Sequence, residues 1–257
     1  MKNQLRTVIA AFIVFSGPAF CSDTVAPAEK IISCSAEMDV VSKYVWRGIP
    51  LSAKEAYQPS VNIAAYGFNA NIWFNYSVEQ PNFNKFSEAD LNFFYEREWA
   101  GLVITPGYVQ YAYPAALPYG EGYIKLSCPL GSVSVFTSQN ISVLGTYAPG
   151  AYYGDAGLSY GRTTQSLDWK ISSSLGWANG KFNAVNYVGG AGGIYGQSAF
   201  NMIALDGSAT FRPQESLYIR PHLAYYRTLS GGLRDAMSAS ALQRDNLVIG
   251  IAIGALF

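Results

Sequence analysis

The 257-residue sequence carries 17 Lys+Arg, 17 Asp+Glu and one His, for a formal net charge of zero; 13% of it is charged, 50% hydrophobic and 15% aromatic. Ordinary soluble domains are about one-quarter charged, disordered chains are far less apolar, and a nucleic-acid partner would call for a basic stripe that is not present. Beyond residue 20 no apolar run reaches the ~18–20 residues of a membrane helix, which leaves an outer-membrane β-barrel as the class to examine.

The chain opens with Lys2 and Arg6, an apolar run from Val8 to Phe15, and small residues around Ser22, Ala26 and Ala28. This is the layout of a cleavable secretory signal, too short to span a membrane as a helix. Cleavage after Cys21 and after Ala28 both satisfy the small-residue rule. Residues 1–28 are therefore expected to be a signal peptide and 29–257 a single barrel domain. Bulky Phe20 argues against a lipoprotein reading of Cys21.

From there on the hydrophobic period is two. Phe68, Ala70, Ile72, Phe74, Tyr76 and Val78 fall on one face of a strand, and Asn69, Asn71, Trp73, Asn75 and Ser77 on the other. The same reading predicts twelve strands, near 34–47, 57–66, 67–78, 87–99, 102–113, 121–128, 132–140, 151–161, 166–177, 199–211, 217–228 and 245–257. The second, fourth, sixth, eighth and tenth connections are tight, and the rest are longer. Tight periplasmic turns alternating with longer outer loops, joining an even number of strands, predict an all-β, up-and-down antiparallel transmembrane barrel. In the last strand Leu247, Ile249, Ile251, Ile253, Ala255 and Phe257 share a face. A terminal aromatic of this kind is expected to engage the barrel-insertion machinery.

Aromatics sort to strand ends, as membrane-interface girdles require. Trp46, Tyr57, Tyr76, Tyr152, Trp177 and Tyr225 are expected at the outer rim, and Phe68, Trp99, Tyr160, Phe211 and Phe257 at the periplasmic rim. Charges follow strand parity: Glu37, Asp39, Lys43 and Arg47 on the first strand, Glu88, Asp90, Glu96 and Glu98 on the fourth, Asp168 and Lys170 on the ninth, Arg220 and His222 on the eleventh. Arg97, Arg227 and Asp245 depart from it, near strand ends. On a lipid face each mid-membrane charge would cost about 2–4 kcal/mol, so the polar face is expected to line the lumen.

Ser42 to Ile49 resembles the opening strand and first-loop signature of the TorF family of porins. Asn71-Ile72-Trp73, and Gly107-Tyr108 through Tyr111 to Tyr113-Pro114, fit the same pattern. The resemblance is specific from about residue 42 to 114 and implies a bacterial outer-membrane channel without catalytic residues.

A twelve-stranded barrel tilted about 40° has a backbone diameter near 24 Å, which inward side chains largely fill. That predicts a narrow, weakly cation-preferring channel for a small polar solute, with lipid outside. The expected lining residues are Lys43, Arg47, Asn71, Trp73, Asn75, Glu88, Asp90, Asp168, Lys170, Asp206, Arg220 and His222. The alternative is a barrel closed by those same groups, with a structural or loop-mediated binding role. Asp206 and His222 are expected to pair, each lying five residues from the strand end flanking one turn. Gly157-Leu158-Ser159-Tyr160-Gly161 matches the G-x-S-x-G pattern, but a nucleophile elbow needs a strand turning into a helix. Catalytic residues, metals and cofactors are not expected. Cys34 and Cys128, both near periplasmic strand ends, leave the question of a disulfide open.

Overall fold

A computed structural model describes residues 32–79, 86–114, 116–144, 149–164, 166–187 and 196–257. The expected signal peptide and part of the Gly-rich stretch 189–196 lie outside the described residues. Twelve antiparallel strands form one closed barrel. They are β1 (Ile32–Val41), β2 (Ala56–Ala65), β3 (Phe68–Ser77), β4 (Glu88–Tyr95, resuming as Arg97–Trp99), β5 (Leu102–Tyr113), β6 (Ala116–Leu130), β7 (Val133–Leu144), β8 (Tyr152–Thr163), β9 (Leu167–Ala178), β10 (Ala199–Gln214), β11 (Leu217–Thr228) and β12 (Asp245–Leu256). Each strand pairs with its sequence neighbours, and β1 closes the ring against β12, with Glu37 opposite Gly254 and Asp39 opposite Ala252. Closure leaves no free sheet edge, so the strands satisfy each other's backbone groups without water.

The parity of the sequence is the parity of the wall. Along β12, Leu247, Ile249, Ile251 and Ile253 are exposed outward, while Asn246, Val248, Gly250 and Ala252 are buried inward. The apolar side chains thus form the exterior, inverted relative to a soluble protein. Tyr152 packs edge-on against Trp177 at the outer rim, and Tyr160 against Trp169 towards the periplasmic side. Arg227 and Asp245, the outward charges, sit opposite each other at a strand end, 3.8 Å apart. Among the described residues no helix is long and apolar enough to cross a membrane.

Two of the tight turns are defined by backbone sign. Tyr66 and Gly67 have φ of 52° and 86°, and Ala100 and Gly101 have 50° and 80°. Two successive positive φ values match the right-handed twist of the flanking strands, and glycine takes the second place at no steric cost. β1 begins and β12 ends at this side of the barrel, where Phe257 and Cys34 exchange backbone hydrogen bonds. The opposite rim is the outer one.

Several boundaries differ from the sequence reading. β1 ends at Val41 rather than Arg47, so Lys43 and Arg47 belong to the first loop. β6 begins at Ala116, five residues before its predicted start, so β5 and β6 meet in a short connection and long–short alternation fails there. β10 runs to Gln214 and its turn shortens to Glu215-Ser216. Among the described residues two short helices stand where the sequence reading has only loops: α1 (Gly180–Asn186) in the fifth outer loop and α2 (Gly231–Ala239) in the sixth. Asn179 caps α1 by accepting from the Phe182 backbone N–H. In α2 the buried Leu233 and Met237 are one helical turn apart. Trp46, expected in the outer girdle, is instead buried inside. Cys34 and Cys128 are both free. Strand parity sets them on the outer face of β1 and β6.

Candidate functional site: the lumen and its outer plug

One side of the lumen is built on small residues. Gly250, Ala252 and Gly254 of β12 face inward between β1 and β11. Their missing side chains let groups from the two flanking strands meet across them. Arg220 Nη2 donates to both carboxylate oxygens of Glu37 at 2.8 Å, and Tyr218 O–H donates to Glu37 Oε2 at 2.6 Å. His222 Nε2 lies 2.9 Å from Asp39 Oδ1. A Cβ on Gly250 would fall well inside 3.0 Å of the His222 ring, and one on Gly254 inside 3.0 Å of Tyr218. Gly254→Ala should therefore displace Tyr218 from Glu37 and cost about 1–3 kcal/mol in overpacking, measurable as a lowered urea midpoint in detergent micelles.

The expected pairing of Asp206 with His222 is not what forms. Ser208 stands opposite His222, and Asp206 stands opposite Ala224. β10 runs three residues further than the sequence reading, to Gln214, and a one-residue irregularity between Phe211 and Gln214 takes one of them back, so the register at His222 is displaced by two. Asp206 instead accepts from Ser172 at 3.5 Å. Arg212 pairs with Asp168 towards the periplasmic end.

The opposite side is acidic and aromatic. Asp90 of β4 sits in a cross-strand row between Trp73 of β3 and Tyr111 of β5. It is completely buried and meets the Glu88 carboxyl group within hydrogen-bond reach. Tyr113 O–H donates to Glu88 Oε1 at 3.0 Å, and Tyr123 O–H to Asn92 Oδ1 at 2.8 Å. The Tyr111 and Tyr119 rings stack with centroids 4.6 Å apart.

The first loop folds into this outer end. A two-rung ribbon, Val45–Trp46 against Ile49–Pro50, turns on Arg47 and Gly48 with φ of 50° and 82°. Its base is held by Leu51 N–H donating to Tyr44 O at 2.8 Å and Tyr44 N–H to Ser52 Oγ at 2.9 Å. Arg47 reaches the far wall. Nη1 and Nη2 donate to Glu121 Oε1 and Oε2 at 3.0 and 2.6 Å, and the pair is almost fully buried. The guanidinium lies 4.4 Å from the Trp46 ring and 4.5 Å from Tyr153. Burial works against its charge, but the Glu121 carboxylate outweighs that and holds the group protonated above its ordinary pKa. Tyr44 is pushed well above the usual phenol value by burial, then by Glu88 and Asp90. Around the ribbon, Phe182 of α1 and Leu233 and Met237 of α2 join Trp73, Tyr153 and Met202 of the wall in one apolar cluster. The outer mouth is thus filled by three loops.

Most of the expected lining residues face inward. Asn71, Trp73, Asn75, Glu88, Asp90 and Arg220 are buried on the lumen side, and Asp168, Lys170, Asp206 and His222 are half-buried there. Lys43 is the exception, binding Gln243 Oε1 at 2.6 Å at the outer surface. Arg47 is inside but on the loop. Glu121, Lys125 and Asp155 are inward charges that were not singled out, although alternation in Tyr119, Glu121, Tyr123, Lys125, Ser127 contains the signal. Ser159 has Ser134 and Ser172 as ladder neighbours while His222 is taken by Asp39, so the G-x-S-x-G residues assemble no nucleophile–base pair. Among the described residues no group of three His, Cys, Asp or Glu is disposed to hold a metal.

No protein-family model matches the chain, and no curated protein matches it by sequence. Solved structures do. The KdgM porin superposes with a TM-score of 0.53 at 8% identity, covering 87% of this chain and 98% of that one. The chain shares the fold of that barrel. A second KdgM structure, in complex with disordered oligogalacturonate, matches equally well. The COG4313 outer membrane channel from Pseudomonas putida F1 matches at a TM-score of 0.51 and 8% identity, over 90% of this chain and 97% of that one. A porin fold with an apolar exterior band is a barrel of the bacterial outer membrane.

Proposed function

We propose that this barrel is a narrow, cation-preferring channel for small polar solutes, held closed at its outer mouth by the first loop. The observation that carries this is the charged lumen inside a lipid-facing coat. An apolar core would stabilise a merely structural barrel better, because buried charges are costly to keep. The inward acids Glu37, Asp39, Glu88, Asp90, Glu96, Glu121, Asp155, Asp168 and Asp206 outnumber the inward cations. Such a lining repels an anionic chain like the oligogalacturonate in the KdgM complex.

The quoted TorF-like residues converge on one place. Trp46 and Arg47 come from the loop, Trp73 from β3, and Tyr111 and Tyr113 from β5, all around Asp90 and Glu121. That convergence supports membership in the family. The amino-terminal pattern supports export, with cleavage after Cys21 or Ala28. Phe257, exposed at the end of β12, suits recognition by the insertion machinery. With His222 held by Asp39 and Ser159 three strands away on β8, the reading is of a non-enzyme.

Reversal potentials across planar bilayers in a KCl gradient test this. The wild type should favour K⁺, and Glu96→Gln, at an inward acid open to water, should lower the K⁺/Cl⁻ ratio about twofold, as one charge at roughly 10 Å in a hydrated lumen contributes about 0.5 kcal/mol. A silent bilayer for wild type and for loop-opened variants would favour the second reading, a closed barrel, which the apolar cluster at the mouth supports.

A further inference from the structure

Arg47 displays what this lumen can bind. Its guanidinium makes a two-pronged contact with Glu121 and lies against the Tyr153 and Phe182 rings at 4.5 and 5.4 Å. Tyr111 O–H also donates to Glu121 Oε2, at 3.2 Å. Apart from Arg47 and its neighbour Trp46, every one of these groups belongs to the wall or to α1, so the receptor does not depend on the first loop for its parts. A planar fork matches a carboxylate with two parallel hydrogen bonds, and its faces suit aromatic rings, where a compact ammonium gains less. Asp90, completely buried beside Glu88, stands opposite Tyr111 in the adjoining part of the same acidic wall.

We propose that Glu121, Tyr111, Tyr153 and Phe182 form a binding site for small solutes bearing a guanidinium group, which Arg47 occupies as a tethered stand-in when the mouth is closed. A free solute of this class competes with Arg47, and winning that competition releases the loop. As a statement about transport this rests on the channel reading; as a statement about binding it does not.

The probe is ethylguanidinium chloride, with ethylammonium chloride as control, titrated calorimetrically into the refolded barrel in detergent micelles. The Arg47→Ala variant should bind ethylguanidinium at least tenfold more tightly than it binds ethylammonium, and at least tenfold more tightly than the wild type binds ethylguanidinium. Adding Glu121→Gln should abolish that binding. Arg47→Lys keeps the charge without the fork and provides a second variant should the alanine barrel fail to refold; it too should bind ethylguanidinium more tightly than the wild type. Equal affinity for the two probes, affinity unchanged by Glu121→Gln, or no gain in either Arg47 variant overturns the site. The channel reading fails separately: ethylguanidinium binding without any bilayer conductance would sink transport and leave the site, and conductance without binding would do the reverse.

Discussion

Arg47→Met should convert a barrel that opens rarely into one that is open most of the time, seen as long open dwells in single-channel records. Removing one partner of a buried, hydrogen-bonded pair costs about 3–5 kcal/mol, because the other charge is left uncompensated. Here the cost falls on the closed state alone, since in the open state Glu121 faces water. A closed state weakened by about 3 kcal/mol gains open population by about a hundredfold. Apolar contacts of Trp46, Val45 and Ile49 oppose the opening, and methionine retains the stem of the arginine, so the variant isolates the charge. Glu121→Gln should open the mouth less, since the amide oxygen still accepts from Arg47. If Arg47→Met conducts no more than the wild type, the first loop is not the gate.

How far the lumen could be foreseen follows from what is local and what is not. Parity is local: Trp73 and Asn75 face inward because they alternate with Ile72, Phe74 and Tyr76, whatever the rest of the barrel does. The tight turns at Tyr66-Gly67 and Ala100-Gly101 are equally local. The His222 partner is not. Asp39 lies 183 positions away and meets it only because the ring closes through β12 and because Gly250 and Ala252 leave room. Pairing it with Asp206 required the strand to end at Phe211, and β10 instead runs to Gln214 before it turns, which carries Asp206 past His222. The infolded loop had a faint signature. Three successive apolar residues, Tyr44, Val45 and Trp46, break the alternation that carried β1, and a run without alternation cannot coat one face of a strand. The helices failed for a different reason. At seven and nine residues they are too short to stand alone, and packing into the mouth is what stabilises them.

Arg220→Met should be the most destabilising single change on the glycine-floored side, and its cost should largely disappear when Glu37→Met accompanies it. The pair is as buried as the Arg47 latch, at 7% and 6% side-chain exposure, but it joins wall to wall rather than loop to wall. Its loss therefore acts on folding rather than on gating. With the arginine gone, Glu37 keeps only part of its set, including the Tyr218 hydroxyl, and a stranded carboxylate should cost about 3–5 kcal/mol. In the double variant no charge is stranded, and two methionines can fill the space above Ala252. The remaining deficit should be the lost bond from the Tyr218 hydroxyl to Glu37, about 1–3 kcal/mol. Adding Tyr218→Phe should recover part of that. Urea unfolding of the four barrels in lipid vesicles gives the coupling directly, and a pair contributing mainly specificity would show a large coupling with little net loss in the double variant. A double variant as unstable as Arg220→Met would mean instead that this salt bridge is a true source of barrel stability. The charges on β1 and β11 would then be structural rather than part of a lining kept for a solute.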